Sequence, residues 1–203
     1  NPQAFRMVSP DGLTYHIDQF AGLQKVTDLN GNELEYRDDG IYHSSGEFVS
    51  FVRDADERIT EVRAADGTLL LSYGYDASGD LVSFTDQEGQ THQYTYYATP
   101  AHYVHKIIDP LGKESSAIEY DASGRLEANI TALGFRTEFG WDPEAFSGTI
   151  TDANGNVTNL LYDARGNILQ RVDPLGGVQS YAYNDDDLAT EFTDANGNTT
   201  TYE

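Results

Sequence analysis

The stretch from Tyr162 to Tyr181 decides the fold of this chain, and it reads Y-D-A-R-G-N-I-L-Q-R-V-D-P-L-G-G-V-Q-S-Y. It holds two four-residue turn signatures, Asp163 to Gly166 and Asp173 to Gly176, separated by a short β-prone run. Aspartate at the first turn position can bond the backbone two residues on, and glycine at the fourth accepts a positive φ. Short runs between such turns predict β-hairpins, with strands at 156–162 and 167–172.

The same two signatures alternate along the chain. Aromatic-Asp-x-x-Gly occurs at Tyr75-Asp76 to Gly79, Tyr120-Asp121 to Gly124 and Tyr162-Asp163 to Gly166. Asp-x-x-Gly follows roughly ten residues later, beginning at Asp86, Asp109, Asp152, Asp173 and Asp194. The turn glycines Gly134, Gly155, Gly176 and Gly197 are each 21 residues apart. A fixed period of this length predicts a repeat architecture in which each unit packs against its neighbours. No segment has a sustained 3.6-residue apolar period, so we expect little helix.

Aromatic residues recur at fixed places within the repeat. The fifth and seventh residues after the turn glycines lie on one face of a strand, because successive side chains alternate. These positions hold Tyr94 and Tyr96, Phe139 and Trp141, Leu160 and Tyr162, Tyr181 and Tyr183, and Tyr202. Ile118 and Tyr120 follow one residue late. The spacing predicts an aromatic ladder on one face of a sheet and a polar opposite face.

Composition limits the classes of partner. The chain has 203 residues, no cysteine, and 34 acidic against 12 basic side chains, for a formal charge of −22. This charge repels nucleic-acid phosphates and anionic lipid, so we expect no nucleic-acid partner and no membrane insertion. The absence of cysteine excludes disulfides and thiolate metal sites. No apolar run is long enough to cross a bilayer.

The sequence also predicts how the chain is organised. Residues 1–66 hold degenerate turns at uneven spacing, and residues 67–203 form a regular array, both within one continuous array. The segment Tyr97 to His105 stretches the repeat to 23 residues and predicts a protruding loop. The chain opens on Asn1 and ends at Glu203, where a further repeat would begin, so we expect a fragment of a longer protein.

These repeats resemble the Rhs/YD-repeat family, which includes bacterial Rhs proteins, the shell-forming subunits of Tc toxins and the teneurin barrel. Tyr75 to Tyr94 and Tyr162 to Tyr181 match the family unit Y-D-x-x-G-x-(I/L)-x-x-x-x-D-x-x-G-x-x-x-x-Y. The residues expected to hold the repeat together are Tyr75, Asp76, Gly79, Tyr94, Tyr120, Asp121, Gly124, Trp141, Tyr162, Asp163, Gly166 and Tyr181. The resemblance implies a continuous curved antiparallel sheet of hairpins, a segment of a hollow spiral shell that encloses or presents a C-terminal effector. It does not extend to the family's self-cleavage motif, because Asp109-Pro110-Leu111-Gly112 and Asp173-Pro174-Leu175-Gly176 lie in ordinary turn registers.

Three chemical alternatives accompany this interpretation. Alternate oxygens around a glycine resemble the start of a calcium loop at Asp28, Asn30 and Asn32, at Asp152, Asn154 and Asn156, and at Asp194, Asn196 and Asn198. The ligand count falls short of calcium's needs, and Asn-Gly is a common turn dipeptide. His102 and His105 could bind a metal, although an exposed loop explains them. Paired carboxylates could hydrolyse glycosides, but turn aspartates recur at most repeats, whereas a catalytic pair occurs once.

The sequence therefore predicts an all-β, non-enzymatic structural segment of a secreted or surface bacterial protein, without a cofactor. Its partners would be the remaining repeats and the effector of the parent protein. The alternative is an adhesive module for cell-surface glycans or proteins, assisted by calcium, in which the tyrosines and Trp141 stack on sugars.

Overall fold

The computed structural model describes residues 3–202, so the outermost residues of the two predicted ranges, 1–2 and 203, lie outside it. Within these residues the chain forms twenty β-strands and no helix. Residues 3–202 therefore contain no helix that could span a membrane. The chain divides into two compact units, Asn1–Gln93 and Tyr94–Glu203. The boundary lies inside the tenth strand; the predicted division at 66/67 concerns repeat regularity and stays a prediction.

The first unit contains nine whole strands and the start of a tenth. They are β1 (Ala4–Val8), β2 (Thr14–Asp18), β3 (Gly22–Thr27), β4 (Glu33–Arg37), β5 (Gly40–His43), β6 (Phe48–Arg53), β7 (Ile59–Ala64), β8 (Leu69–Tyr75), β9 (Leu81–Thr85) and β10 (Thr91–Tyr96). Each strand pairs antiparallel with the next in sequence, which makes the unit a meander.

The second unit has the same plan. Its strands are β11 (Val104–Ile108), β12 (Glu114–Tyr120), β13 (Leu126–Thr131), β14 (Arg136–Asp142), β15 (Ser147–Thr151), β16 (Val157–Tyr162), β17 (Ile168–Val172), β18 (Val178–Tyr183), β19 (Ala189–Thr193) and β20 (Thr199–Thr201). All are paired antiparallel in sequence order. The predicted all-β fold of tandem hairpins is confirmed, and the strands predicted at 156–162 and 167–172 are β16 and β17.

The two turn signatures lie at opposite edges of the sheet, because each strand of a meander reverses the chain direction. In the second unit, one edge carries the turns that begin at Asp121, Asp142, Asp163 and Asn184. The other edge carries the turns that begin at Asp109, Thr131, Asp152, Asp173 and Asp194. We call these the YD edge and the DG edge. The 21-residue period is thus one strand up, one strand down and two turns.

The pairing register assigns side chains of the second unit to two faces, because residues directly opposite each other point the same way. Trp141 lies opposite Gly148, which in turn lies opposite Leu160. Tyr162 follows Leu160 by two residues and shares this aromatic face, and Tyr181 opposite Phe192 belongs to it too. The pairing register therefore places these rings on one face, as the spacing predicts.

The opposite face of the second unit is mostly small and charged. A row across three strands runs from Glu119 through Ala128 to Glu138. The Arg136 guanidinium bonds both carboxylates, with Nη1 2.6 Å from Glu119 Oε2 and Nε 2.8 Å from Glu138 Oε1. The arginine therefore spans the alanine between them, and Ala128 has 0% of its surface exposed.

The first unit is also two-sided. Its apolar face carries the row Tyr73, Phe84 and His92. Its polar face carries the row Arg6, His16, Lys25 and Glu35, which continues into Tyr42 and Phe48. The rings of Tyr42 and Phe48 stack with their centroids 5.2 Å apart. This face therefore contains aromatic residues as well as the polar ones that the pattern predicts.

Neither unit has a conventional core. Within each unit, strands contact only the strands before and after them in sequence, and almost all of their described side chains are partly exposed, so no second layer of the same unit covers either face. In this range the only buried hydrophobic side chains are Ala117 and Ala128. Stability must therefore come from cross-strand neighbours, each pair contributing about 0.2–1 kcal/mol, together with the hydrogen-bonded ladders and turns.

We expect Ala128→Leu to destabilise the second unit by about 1–3 kcal/mol, because a larger side chain must push Arg136 away from both glutamates. Urea unfolding followed by circular dichroism measures the change. The matched control is Ala182→Leu, which enlarges an exposed alanine on the same face and should leave the midpoint nearly unchanged. Equal effects of the two substitutions would contradict the role given to the arginine bridge.

Candidate functional site

The repeated turn is the unit from which the surface is built, and Asp152 illustrates it. The Gly155 amide donates to the Asp152 carbonyl at 2.9 Å, and the Asp152 amide donates to the Asn156 carbonyl at 3.0 Å. Asp152 Oδ1 accepts from the amides of Asn154 and Asn156 at 2.8 and 2.9 Å. Gly155 has φ +82°, a conformation in which glycine pays no steric cost.

The same carboxylate geometry recurs throughout both units. One oxygen accepts the amides two and four residues on at Asp28, Asp54, Asp76, Asp86, Asp109, Asp121, Asp152, Asp163, Asp173 and Asp194. Because these bonds favour the ionised form, they lower the pKa of Asp121, where the Arg125 amide acts most strongly. The general acid of glycoside hydrolysis needs a raised pKa, so Asp121 is poorly suited to that role.

The three candidate calcium turns use their oxygens internally. In each, the second carboxylate oxygen accepts the side-chain amide of the asparagine four residues on, at 2.8 Å: Asn32 on Asp28, Asn156 on Asp152 and Asn198 on Asp194. This bond is the largest cause of the lowered pKa of all three aspartates. Asn30, Asn154 and Asn196 occupy the middle of the turns and are exposed. A cation would have to displace the amide of the last asparagine.

Two turns that the glycine criterion missed have the same geometry. Glu57, at φ 64°, takes the fourth position of the turn that begins at Asp54. Asp187, at φ 62°, does so in the turn that begins at Asn184, whose Oδ1 replaces the carboxylate oxygen. Asn184 lies 21 residues after Asp163 and follows Tyr183, so the period would have found it without the glycine.

Neighbouring turns on the YD edge also bond each other. Arg165 Nη1 and Nη2 donate to the backbone carbonyls of Asp185 and Asn184 at 3.1 Å, one repeat further on. Asn167 Nδ2 bridges to Asp187 Oδ1 at 2.7 Å. In the first unit Arg58 covers the ring of Tyr75, with its guanidinium carbon 4.7 Å from the centroid. The Tyr75 hydroxyl in turn donates to the Ile59 carbonyl at 2.9 Å.

The aromatic face of the second unit is built of separate clusters. Trp141 and Tyr162 occupy equivalent repeat positions two strands apart and meet edge to face, with centroids 5.0 Å apart. They meet over Gly148, where an added Cβ would lie 3.4 Å from Tyr162 and 3.6 Å from Trp141. Elsewhere the intervening strand supplies the ring that makes the contact, as Phe192 does beside Tyr181 at 5.2 Å.

The remaining predicted aromatic positions are less engaged. Tyr94 lies half-buried in β10, and Tyr202 is half-exposed after β20. In the first unit Phe84 sits between Tyr73 and His92, at 5.6 and 6.2 Å. Sequence reasoning missed Phe84, Phe192 and Gly148 because it followed the repeat glycines and skipped the middle strands.

The loop predicted at Tyr97 to His105 is present between β10 and β11. The Tyr97 amide donates to the Tyr103 carbonyl at 2.9 Å, and the ring of His105 packs on Tyr97 with centroids 4.4 Å apart. His102 lies at the exposed tip with φ 68°. Across residues 3–202, no three His, Asp or Glu side chains converge in a geometry suited to a metal ion.

The turn that begins at Thr131 tests the role of the carboxylate. Its backbone bonds match those of the other turns, but the side chain gives a single weak bond, Phe135 amide to Thr131 Oγ1 at 3.3 Å. We expect Thr131→Asp to replace this weak bond with two backbone bonds and stabilise the unit by about 0.5–1.5 kcal/mol at neutral pH, measured as the free energy of unfolding in urea.

The pH dependence of this gain has a definite sign. The turn bonds of Asp152 and Asp194 lower the pKa of these aspartates in the folded protein. We expect the carboxylate introduced by Thr131→Asp to behave in the same way, so the gain is complete above the unfolded value of about 3.9 and is lost as pH falls through the folded pKa. Thr131→Asn is the matched control, because Asn184 shows that an amide oxygen fills the same role without titrating. A gain by Thr131→Asp that persists in acid would contradict this assignment.

Comparison with known proteins agrees with this geometry. The family model described as RHS Repeat matches residues 149–178, from β15 to the start of β18. The crystal structure of TcdB2-TccC3-Cdc42 shares 12% identity and superposes with a TM-score of 0.50, over 96% of this chain and 14% of that one. The crystal structure of TcdB2-TccC3 gives 13% identity and a TM-score of 0.51, over 94% of this chain and 12% of that one. This chain therefore spans less than a sixth of either chain.

None of the curated protein sequences compared with this chain is significantly similar to it. The two superpositions, at such low identity, establish the fold alone. The match to the RHS Repeat model is a similarity of sequence, and the residues that it covers include the turns that begin at Asp152, Asp163 and Asp173. The resemblance to the Rhs/YD-repeat family is confirmed: residues 149–178 match the RHS Repeat model, and the fold of the chain is that of the superposed structures.

Proposed function

We propose that this chain is part of the wall of an Rhs-type shell that encloses or presents the C-terminal effector of a secreted bacterial protein. The observation that carries the proposal is the single layer of the sheet. The two units together order twenty strands, and within each unit the described residues leave both faces of the sheet without a covering layer of the same unit. A protein that worked alone would bury such a face, whereas a wall has to present one.

The DG edge supports a role inside a larger assembly. Three of its five turns in the second unit carry a leucine at the tip, and Leu111, Leu133 and Leu175 are 79%, 80% and 97% exposed. In the first unit Leu29 is 79% exposed at the corresponding kind of turn. Leucines this exposed bury little apolar surface in the isolated chain and so contribute little to its stability. Contact with further repeats of the parent protein would bury them and favour assembly by the hydrophobic effect.

The comparisons support the same proposal through what their names state. TccC3 occurs with TcdB2 in both superposed structures, and one of them also contains Cdc42. These names describe the similar proteins. We extend them to the parent of this chain when we propose that it is secreted, carries further repeats and holds an effector.

No enzymatic activity is part of this proposal. The repeated carboxylates are engaged by the backbone of their own turns, and ion pairs such as Arg136 with Glu119 and Glu138 engage others. Negative charge then serves solubility of the wall before assembly. It would also favour cationic segments as contents or partners.

Protease protection tests enclosure in the full-length parent protein. We expect its C-terminal segment to resist a soluble protease, and Thr149→Pro to abolish that resistance, because proline breaks the ladder of the doubly paired strand β15. Gel mobility and mass spectrometry report the cut sites. Ala164→Pro is the matched control, since its turn position accepts proline natively at Pro110 and Pro174. Cleavage of the C-terminal segment at equal rates in all three proteins would reject enclosure.

An adhesive module is the second candidate, because Trp141 is 41% exposed and could stack on a sugar ring. Its calcium-assisted form predicts a higher melting temperature with Ca²⁺, since 100 times Kd would add about 2.7 kcal/mol. We expect no such shift relative to matched Mg²⁺, because the turn asparagines already occupy the carboxylates. A calcium-specific shift that Asp152→Asn reduces would instead favour the adhesive module.

A further inference from the structure

One repeat of the second unit departs from the others in two ways that converge on one cavity. The first departure is the insertion between Tyr97 and Tyr103, which folds beside the YD edge. The cavity has a volume of about 300 Å³, at the lower end for small-molecule pockets. The rings of Tyr97 and Tyr120, the loop residue Pro100 and three carboxylates line it.

Packing fixes the inserted loop in place. Tyr103 meets the ring of Tyr120 edge to face at 4.8 Å, and Tyr97 meets it at 6.2 Å. The Tyr97 hydroxyl donates to the Ile118 carbonyl at 3.1 Å. Tyr103 also lies so close to Gly124 that a Cβ at Gly124 would clash with the Tyr103 hydroxyl. The aromatic wall of the cavity is therefore preorganised.

The second departure is Glu127. A β-bulge shifts the register between β12 and β13, so that Glu119 faces Ala128 and Tyr120 faces Leu126. Glu127 is the residue left without a partner opposite, and bulges of this kind re-aim a side chain. The same bulge position holds Thr60, Val82, Leu169 and Thr190 in other repeats. A carboxylate occurs only beside the inserted loop.

Glu127 is also the carboxylate of this cavity whose charge is not compensated. Glu119 pairs with Arg136 at 2.6 Å, and Asp121 pairs with Arg125 at 2.9 Å. The Glu127 carboxylate makes no hydrogen bond or ion pair within the part of the chain that the structure describes. The cavity thus combines two tyrosine rings with one free negative charge.

We propose that this cavity binds an alkylammonium group, with its cationic head on Glu127 and its alkyl body against Tyr97 and Tyr120. A cation near an aromatic ring is attracted by the ring's negative face, and a carboxylate adds a charge-assisted hydrogen bond. One free carboxylate supplies too few ligands for Ca²⁺, which needs about six to eight oxygens. A lysine side chain of a polypeptide and a free alkylamine share this chemistry.

Nuclear magnetic resonance of the whole chain with ¹³C-labelled tyrosine rings tests the site. We expect butylammonium chloride to shift the Tyr97 and Tyr120 resonances saturably, while 1-butanol at equal concentration does not. N-acetyl-lysine N′-methylamide distinguishes a peptide lysine from a free amine, and binding of either supports the site. Absence of saturable shifts with both amines, or equal shifts with the alcohol, overturns the proposal.

Three variants locate the binding. Glu127→Gln should weaken butylammonium binding by up to about fivefold, the upper end of the range for an exposed ion pair. Glu144→Gln removes an exposed carboxylate from the next YD-edge turn and should leave affinity unchanged. Leu169→Glu places a carboxylate at the equivalent bulge where no loop is inserted, and should create no second site. Unchanged affinity in Glu127→Gln overturns the assignment.

Discussion

Register is the constraint on which this structure depends, and the turn carboxylate sets it. Without a core, a strand that slips by one residue would lose few buried contacts, so the hydrophobic effect alone specifies its position weakly. The aspartate that accepts two amides, with a positive φ three residues later, closes each loop at one length. Repeating that turn at the ten hairpins that carry such an aspartate fixes where their strands begin, and hence which side chains share a face.

Fixed register explains why the rings cluster without forming an unbroken ladder. Equivalent positions of successive repeats are two strands apart, farther than two rings can reach over an ordinary side chain. Trp141 and Tyr162 meet because Gly148 leaves the space between them open. Tyr181 finds Phe192 on the intervening strand at 5.2 Å. Packing is thus decided locally by the middle strand, and each cluster stabilises its own hairpins.

Much of the fold could be predicted from sequence because turn chemistry and period are local properties. The strands at β16 and β17 and the turn at Asp163 follow directly from residue spacing. The turns ending at Glu57 and Asp187 could not be found by a glycine criterion, since there a non-glycine residue takes the positive φ. The setting of Glu127 depends on a bulge, a property of two paired strands that one strand's sequence does not reveal.

A sheet held together in this way can acquire a local site at low cost. The strands are defined by ladder bonds and turns, so residues inserted at a hairpin end lengthen the loop without moving the register beyond it. The 97–103 insertion does this: β12 and β13 still pair, with the same bulge beside Tyr120 that other repeats have beside Tyr75 and Tyr162. The repeats supply a rigid support, and the chemistry that distinguishes one repeat from the next is confined to the edges, where loops vary most freely.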